Sequence, residues 1–481
     1  MKNSYIFLLF LFLINQTSLG QTEWLSIDFN DSRSLKKPIE VINVIDEENG
    51  GVAVFFKYSN AIRAYLYDQD KNLINKVLVH MLPKYASNYL GCSNFNNVYT
   101  LFFRNIGNTK FSSLTIDFKG STFNSKNDIG LHLKRETVVE FFEDNNQVYI
   151  LTSINKTSKL NLYTIFYDGQ FDVKLINLSN EVFEKPNGIS TNLNVLIRGL
   201  KQESMTRSIK VGEPSSLEIA SSKNKLYYSN GIITFTSNYF HHCTYIIDIN
   251  IADGSYKYSK FNNTNYKKED LLKKANSFIY GQHFFNLYVS KNGLTYDIYD
   301  RTTKHLVKKF EVKKDEIIPF KNSPIILEGG DFKNYRELER TAQFIRKVTN
   351  SKISTYVYKI NGNYVLSIGS SEPKQQAQIG YYYTGGLVGG LIGVATTYLL
   401  TSSYNSYIRT KSTRIECLFD QDFNHVLGEV PLNGFDRIKK YVDAKNLEKA
   451  PLQSVFKPGN EYIFGYYNKV YNSYNYINIE N

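Results

Sequence analysis

The chain has 481 residues and a net charge of +12, with 57 Lys and Arg against 45 Asp and Glu; Tyr (38) and Phe (32) are abundant, Met (3) and Trp (1) scarce. Such a length buries a full core, as one large all-β domain or two to three ordinary ones. The basic excess is dispersed, and its densest runs, "KKEDLLKK" and "VKKFEVKKDE", are broken by acids; that pattern reads as a solvated surface and gives no nucleic-acid partner.

The first twenty residues have the form of a secretory signal. Lys2 is the positive start, Ile6–Ile14 a short apolar core, and Ser18 and Gly20 small residues before Gln21. The reading predicts export to a periplasm or cell envelope, with residues 1–20 removed. No cysteine follows the apolar core, so a lipoprotein anchor is not expected.

A weak repeat runs through the rest. An Asn/Gly-rich turn precedes an apolar strand, a polar turn and a second strand, as in "ENGGVAVFFKYSNAIRAYLYDQDKN" and "DNNQVYILTSINKTSKLNLYTIFYDGQ". The apolar strands start near Val52, Val98, Val148, Ile232, His283 and Tyr462, with weaker copies near Asn194 ("LNVLIRGLK") and Tyr364 ("NGNYVLSIGSS"). Ile62, Ala64 and Leu66 alternate with Arg63, Tyr65 and Tyr67, the period of a strand. The turns "DFKG", "YDGQ" and "ADG" hold residues that reach positive φ or bond their own backbone. Antiparallel units repeating at roughly 40 to 50 residues predict an all-β chain, a β-propeller of seven to eight four-stranded blades over residues 21–481. The last unit is short of strands and "TEWLSIDF" has no partner, so the N-terminal strand is expected to close the ring beside it.

Two stretches are read as helices outside the blades. "NYRELERTAQFIRKVTN" puts Leu338, Thr341 or Ala342, Ile345 and Val348 on one face, and "KKEDLLKKANSF" is a shorter candidate.

The stretch "YYYTGGLVGGLIGVATTYLLTSSY" interrupts a late unit. It lies between "NYVLSIGSS" and "STRIECLFDQDF", so residues 371–410 form an insertion in a hairpin. No charge occurs from Gln375 to Ile408. Gly385, Gly389 and Gly393 share a helical face, with Gly386 and Gly390 beside it, a spacing that lets helices approach closely. The segment resembles glycine-zipper segments of bacterial envelope proteins. A single span would part the two strands of one hairpin, and two helical arms would each be short of a bilayer core. A membrane contact, a contact with a second copy, and packing on its own propeller remain open. The segment is expected to be separable from the fold.

Chemistry is sparse. There is no G-x-S-x-G, H-E-x-x-H, P-loop or G-x-G-x-x-G, which excludes those enzyme families only. His241 and His242 stand beside Cys243 in a turn, with His283 in the next unit; a surface turn is preferred to a metal site. "DQDKN" at Asp68 and "DQDFN" at Asp420 open like calcium loops but lack the glycine at six and the glutamate at twelve. Cys92, Cys243 and Cys417 have neither metal nor disulfide-framework spacing and are read as buried thiols. No catalytic, cofactor or metal residue is assigned and no cofactor is expected. The whole resembles exported β-propeller proteins of Gram-negative bacteria. The preferred reading is a non-catalytic binding or scaffold protein of the cell envelope, whose glycine-rich insertion touches membrane or a second subunit. The alternatives are a propeller enzyme, such as a carbohydrate-active hydrolase or lyase, and a single-span membrane protein.

Overall fold

The computed structural model describes residues 21–29, 37–46, 49–144, 146–201, 204–266, 274–329, 335–372 and 396–480. The signal segment, the acidic part of "KKEDLLKKANSF" and all five glycines Gly385, Gly386, Gly389, Gly390 and Gly393 lie outside them.

Among the described residues there are seven sheets of four or five strands and one two-stranded ribbon. Strand β1 (Glu23–Asp28) is set aside for the last sheet. The first sheet is β2 (Glu40–Ile45), β3 (Val52–Lys57), β4 (Ile62–Tyr67) and β5 (Leu73–Val79). The second is β6 (Asn88–Phe95), β7 (Val98–Arg104), β8 (Phe111–Asp117) and β9 (Thr122–Lys126). The third is β10 (Glu136–Asp144), β11 (Gln147–Ile154), β12 (Lys159–Ile165) and β13 (Phe171–Asn177). The ribbon β14 (Phe183–Glu184) and β15 (Ser190–Thr191) and helix α1 (Leu193–Arg198) follow. The fourth sheet is β16 (Thr206–Lys210), β17 (Asn224–Ser229), β18 (Ile232–Ser237), β19 (Cys243–Asn250) and β20 (Tyr256–Asn262), with the short helix α2 (Leu217–Ala220) after β16. The fifth is β21 (Lys274–Tyr280), β22 (His283–Ser290), β23 (Gly293–Asp300) and β24 (Leu306–Lys313).

The sixth sheet takes its outer strands first. β25 (Ile325–Glu328) and β26 (Arg336–Leu338) precede helix α3 (Thr341–Asn350), and the inner strands β27 (Lys352–Ile360) and β28 (Asn363–Ser371) come after it. Helix α4 (Thr396–Arg409) leads into β29 (Ser412–Phe419), which pairs with β28 on one side and β25 on the other. Helix α5 (Gly434–Ala444) precedes the seventh sheet, β30 (Ser454–Phe456), β31 (Tyr462–Asn468) and β32 (Ser473–Ile479), whose fourth strand is β1.

Burial follows position in the sheet. β3 reads "VAVFFK" and is buried at every residue, while β9 reads "TFNSK" and is exposed at every residue. A second strand covered by neighbouring sheets on both faces becomes a continuous apolar run, and alternation survives only further out. Tight turns set the pairing: Asn230–Gly231 and Asn361–Gly362 both have positive φ at the two central positions, the two-residue hairpin that matches strand twist.

The sheets pack face to face through apolar layers. Ile42, Phe55 and Leu66 meet Tyr99 and Leu101 between the first and second, and Leu151 and Leu162 meet Phe235 and Ile247 between the third and fourth. Trp24, Phe29 and Phe56 join the seventh sheet to the first; Phe29 meets Phe56 edge-on at 4.8 Å and Trp24 meets Phe456 at 5.5 Å. One helix, α4, packs against β30, β2, β16, α2 and α5, and its Tyr398 ring lies 6.3 Å from Tyr89 of β6. A single helix reaches the innermost strands of four sheets only where those strands converge around it. The architecture is therefore all-β and β-propeller-like.

Four expectations about local structure are corrected. "LNVLIRG" is helix α1, because Asn192 caps it by accepting from Val195 N and Leu193, Leu196 and Ile197 bury one helical face. "KANSF" is part of strand β21, whose Ala275, Phe278 and Ile279 are buried between sheets. The described end of the insertion is not a separable appendage: Leu400 and Tyr404 of α4 are each 1% exposed. Helix α3 is shorter than expected: Leu338 lies on strand β26 and Ala342 is exposed, while Thr341, Phe344, Ile345 and Val348 are buried on one face. No described helix is long and apolar enough to cross a membrane.

Because Phe29 is buried where the first and last sheets meet, Phe29→Ala is expected to lower stability by about 3–5 kcal/mol, the usual range for a buried aromatic. Urea unfolding measures it; an unchanged midpoint would mean that β1 does not join these sheets.

Candidate functional site

Most layers between sheets are apolar, and the face that the sixth sheet turns to α5 departs from this. On β29, Ser412, Arg414 and Glu416 share that face, opposite the apolar Ile415 and Cys417. Tyr356 of β27 and Ser367 of β28 lie in register with Glu416. Arg414 Nη2 donates to Glu328 Oε2 at 2.8 Å, and its Nε donates to Glu416 Oε1 at 3.2 Å. Lys439 of α5 donates to the second Glu328 oxygen, Oε1, at 2.6 Å. The side chains of Arg414, Glu416 and Glu328 are 13%, 18% and 23% exposed.

The local chain holds these groups in place. Asn433 caps α5 by accepting from Phe435 N and Asp436 N, and Asp436 Oδ2 accepts from Asn433 N. Asp436 Oδ1 accepts from Tyr407 OH of α4 at 2.6 Å. After Glu328, Gly329 takes φ 92°, and a Cβ there would run into the Thr410 carbonyl. The close approach of Glu328 to the start of β29 thus depends on that glycine.

The two glutamates are pushed in opposite directions. Burial works against the charged form of Glu328, but Arg414 and Lys439 outweigh it and hold its carboxyl below the usual range. Burial raises Glu416; Arg414 opposes the rise, and Asp436 and Glu328 add to it. One carboxyl is thus held below its usual range and the other raised above it, on either side of one guanidinium. This division of roles is what acid–base chemistry at a single centre requires.

A second polar layer lies along α4. Glu218 of α2 accepts from Ser406 at 2.8 Å and Thr410 at 2.7 Å, and Ser216 meets Ser406 at 2.7 Å. Tyr398 donates to Glu40 at 2.6 Å, and Thr401 bonds both Val455 N and Val455 O. These contacts fasten the helix to strands of separate sheets.

The residues singled out in the sequence are placed elsewhere. His242 Nε2 lies 3.4 Å from Cys243 Sγ, and His241 Nδ1 accepts from Ala275 N at 3.2 Å. His283 does not join them; it packs on Phe423 at 4.9 Å and faces Tyr364. Burial lowers His241 to about 4, with Lys223 adding to the shift. Cys92, Cys243 and Cys417 are buried and unpaired with one another. The Asp68 and Asp420 carboxylates bind their own turns, through Asn72 and Asn424. None of Glu328, Arg414, Glu416 and Lys439 was singled out. The one sequence signal was the charged alternation of "TRIECLF", where a buried strand should be apolar.

No protein-family model matches the chain, and no curated protein matches it. Among solved structures it is similar to an ACO/RPE65 chimera, at 9% identity and a TM-score of 0.26, over 56% of this chain and 60% of that one. It is also similar to a variant of Synechocystis apocarotenoid oxygenase, at 10% identity and 0.28, and to the cobalt-substituted form, at 9% and 0.27; each match spans 60% of this chain and 63% of that one. The chain thus spans less than two thirds of the structures it matches. These include oxygenases, and the expectation of a non-catalytic binding or scaffold protein finds no support among them. At such values the likeness says nothing of substrate or reaction for this chain.

The pKa displacements give the stability a sign. Glu328 ionises more readily in the folded chain, so its contribution is present above the unfolded value of about 4.3 and is lost as pH falls through its lower folded value. Glu416 keeps its proton longer when folded, so its share falls as pH rises past about 4.3. Arg414→Ala, which leaves both carboxyls without their cation, is expected to lower stability by about 3–5 kcal/mol at neutral pH. Glu416→Gln, which keeps the shape of the side chain and removes a charge that burial opposes, should cost about 1 kcal/mol or less. Urea titrations across pH 3–8 measure both, and equal losses in the two variants would contradict the assignment.

Proposed function

We propose that the chain is an exported β-propeller enzyme, a hydrolase or lyase that cleaves glycosidic bonds by carboxyl acid–base catalysis. The observation that carries this reading is the Glu328–Arg414–Glu416 arrangement: two carboxyls held by one guanidinium and displaced in opposite directions. Glycosidic cleavage needs such a division, a proton for the leaving oxygen and a carboxylate for the other role. Glu416 is the proton donor in this reading and Glu328 the base. Arg414 and Lys439 are positioning residues that keep Glu328 ionised.

The finer architecture belongs to the same proposal. The seven larger sheets are seven blades, with β1 completing the last beside β32 and α4 occupying the axis. Export rests on the signal-like residues 1–20. The charge-free stretch around Gly385, Gly389 and Gly393 is a proposed contact with membrane or a second copy.

The test is turnover of chromogenic glycosides and uronate polysaccharides, the latter followed by ultraviolet absorbance of an unsaturated product. A bell-shaped pH profile is expected, with an alkaline limb set by Glu416 and an acid limb set by Glu328. Glu416→Gln and Glu328→Gln should each lower kcat/KM by about 10²–10⁴ and each remove its own limb. Folded wild-type protein that turns over no member of the panel, or variants with full activity, would overturn the proposal.

A further inference from the structure

The third sheet ends on an open edge. β13 reads "FDVKLIN" and closes the order β10-β11-β12-β13, with no further strand on its outer side among the described residues. It pairs with β12 in unbroken register from Phe171 to Asn177. Phe171, Val173 and Leu175 alternate along it and are 38%, 47% and 58% exposed. An outer strand is ordinarily blunted by lysines or a bulge, because its free N–H and C=O groups are a template for another strand. β24, the outer strand of the fifth sheet, has both: Lys308, Lys309 and Lys313, and a register break opposite Ile298 and Tyr299. β13 has one lysine, no bulge and a row of large apolar side chains.

The backbone groups on that edge can be assigned. At one end of the β12–β13 hairpin Phe166 N donates to Gln170 O, and at the other Leu178 N donates to Ser158 O, each at 2.9 Å. In an antiparallel pair, successive residues bond inward and outward in turn. Asp172, Lys174 and Ile176 therefore bond to β12, while Phe171, Val173, Leu175 and Asn177 aim their backbone groups away from the sheet. The Tyr256 hydroxyl already donates to the Asn177 carbonyl at 3.2 Å, so the open stretch runs from Phe171 to Leu175. The side chains divide in the same way. Phe171, Val173 and Leu175 share a face with Ile165 and Tyr163 of β12; Asp172 and Lys174 lie on the other, where Lys174 donates to the Ile251 carbonyl at 3.2 Å.

We propose that β13 pairs antiparallel with β13 of a second copy of this chain, about a two-fold axis at Val173. Register carries this reading. A strand that bonds through Phe171, Val173 and Leu175 meets itself over most of that stretch only with the axis at Asp172, Val173 or Lys174. An axis at Asp172 sets that carboxylate opposite its own copy. An axis at Lys174 sets two ammonium groups together and asks Asn177 for the carbonyl that Tyr256 holds. With the axis at Val173, charge and burial agree. Phe171 then meets Leu175 of the second copy and Val173 meets Val173, as hydrogen-bonded pairs. Asp172 meets Lys174 in the non-bonded pairs, where side chains come closest. A two-fold contact requires a surface that complements itself. The four strands of one copy then continue into the four of the other, and the apolar row is covered by its own image. This inference depends neither on the Arg414 site nor on the glycine-rich stretch.

The experiment is sedimentation velocity of the full chain over about 1–100 μM, where the wild type should pass reversibly from monomer to dimer. Asp172→Lys and Lys174→Asp each set like charges opposite one another at two symmetry-related positions. Each should weaken the dimer by about tenfold or more. Mixed in equal amounts, the two variants face each other with opposite charges at both positions, and the dimer should return. Val173→Cys should cross-link two copies under mild oxidation, since the Cα atoms of a bonded pair lie about 5.5 Å apart, within disulfide reach. Cys92, Cys243 and Cys417 are buried and do not compete. Asp172→Cys should not cross-link, because it meets its own copy only on a diagonal of about 7–8 Å. A wild type that stays monomeric throughout, single variants that dimerise as the wild type does, or a mixture no stronger than its parts would each overturn the proposal. So would cross-linking through Asp172→Cys in place of Val173→Cys.

Discussion

The rest of the structure depends on how α4 is seated. Its Leu400 and Tyr404 are buried against Phe435 and Phe464, and its hydroxyls bond groups on three separate elements: Thr401 to Val455, Ser406 to Glu218 and Tyr407 to Asp436. The innermost strands that converge there would otherwise present polar groups to one another across a gap. A helix satisfies its own backbone internally, so it fills such a gap while asking only side-chain partners of its surroundings. The helix is also continuous with β29. Thr410 bonds Glu218 on one side, and four residues on Arg414 bonds Glu328 and Glu416. The packing around α4 and the geometry of the charged face are thus set by one run of chain.

That coupling gives the inserted stretch a structural purpose at its described end. The strands β28 and β29 pair along their length, Ser371 opposite Ser412, so the chain leaves and returns at one point of the sixth sheet. Closing a long loop costs only slowly more with length, and the helix recovers part of that cost through burial. Removing the whole insertion would therefore remove α4 as well as the glycines, contrary to a reading in which it is a detachable loop.

Much of the sheet pattern was legible. Val52, Val98, Val148, Ile232, His283 and Tyr462, read as the starts of apolar strands, begin β3, β7, β11, β18, β22 and β31. All but β18, the middle strand of its five, are the second strands of their sheets, where both faces are covered and composition is least ambiguous. The helices were harder. α1 was read as a strand because "LNVLI" is apolar without interruption, and only the Asn192 cap distinguishes it. The Arg414 face was not legible, because Glu328, Arg414, Glu416 and Lys439 come from three elements brought together by packing. Lys225, wholly buried on β17, was equally hidden: "NKLYYS" looks like an ordinary alternating strand until both of its faces are found covered.

The two buried cations show how side-chain chemistry decides what a covered sheet face can hold. Arg414 cannot shed its charge at any accessible pH, so it is tolerable in a packed layer only with acids at hand; Glu328 and Glu416 supply them, and Lys439 shares the load on Glu328. Lys225 has a second way out, since an amine can lose its proton when burial is severe. A lysine there needs no acid in the sequence, and among the described residues none bonds it; its acceptor is the Asn276 amide oxygen. Exchanging the two residue types would not be neutral: arginine at 225 would bring an obligatory charge to a place with a single amide acceptor. Lysine at 414 would lose the fork that holds two carboxyls at once, and with it the geometry that drives their pKa values apart.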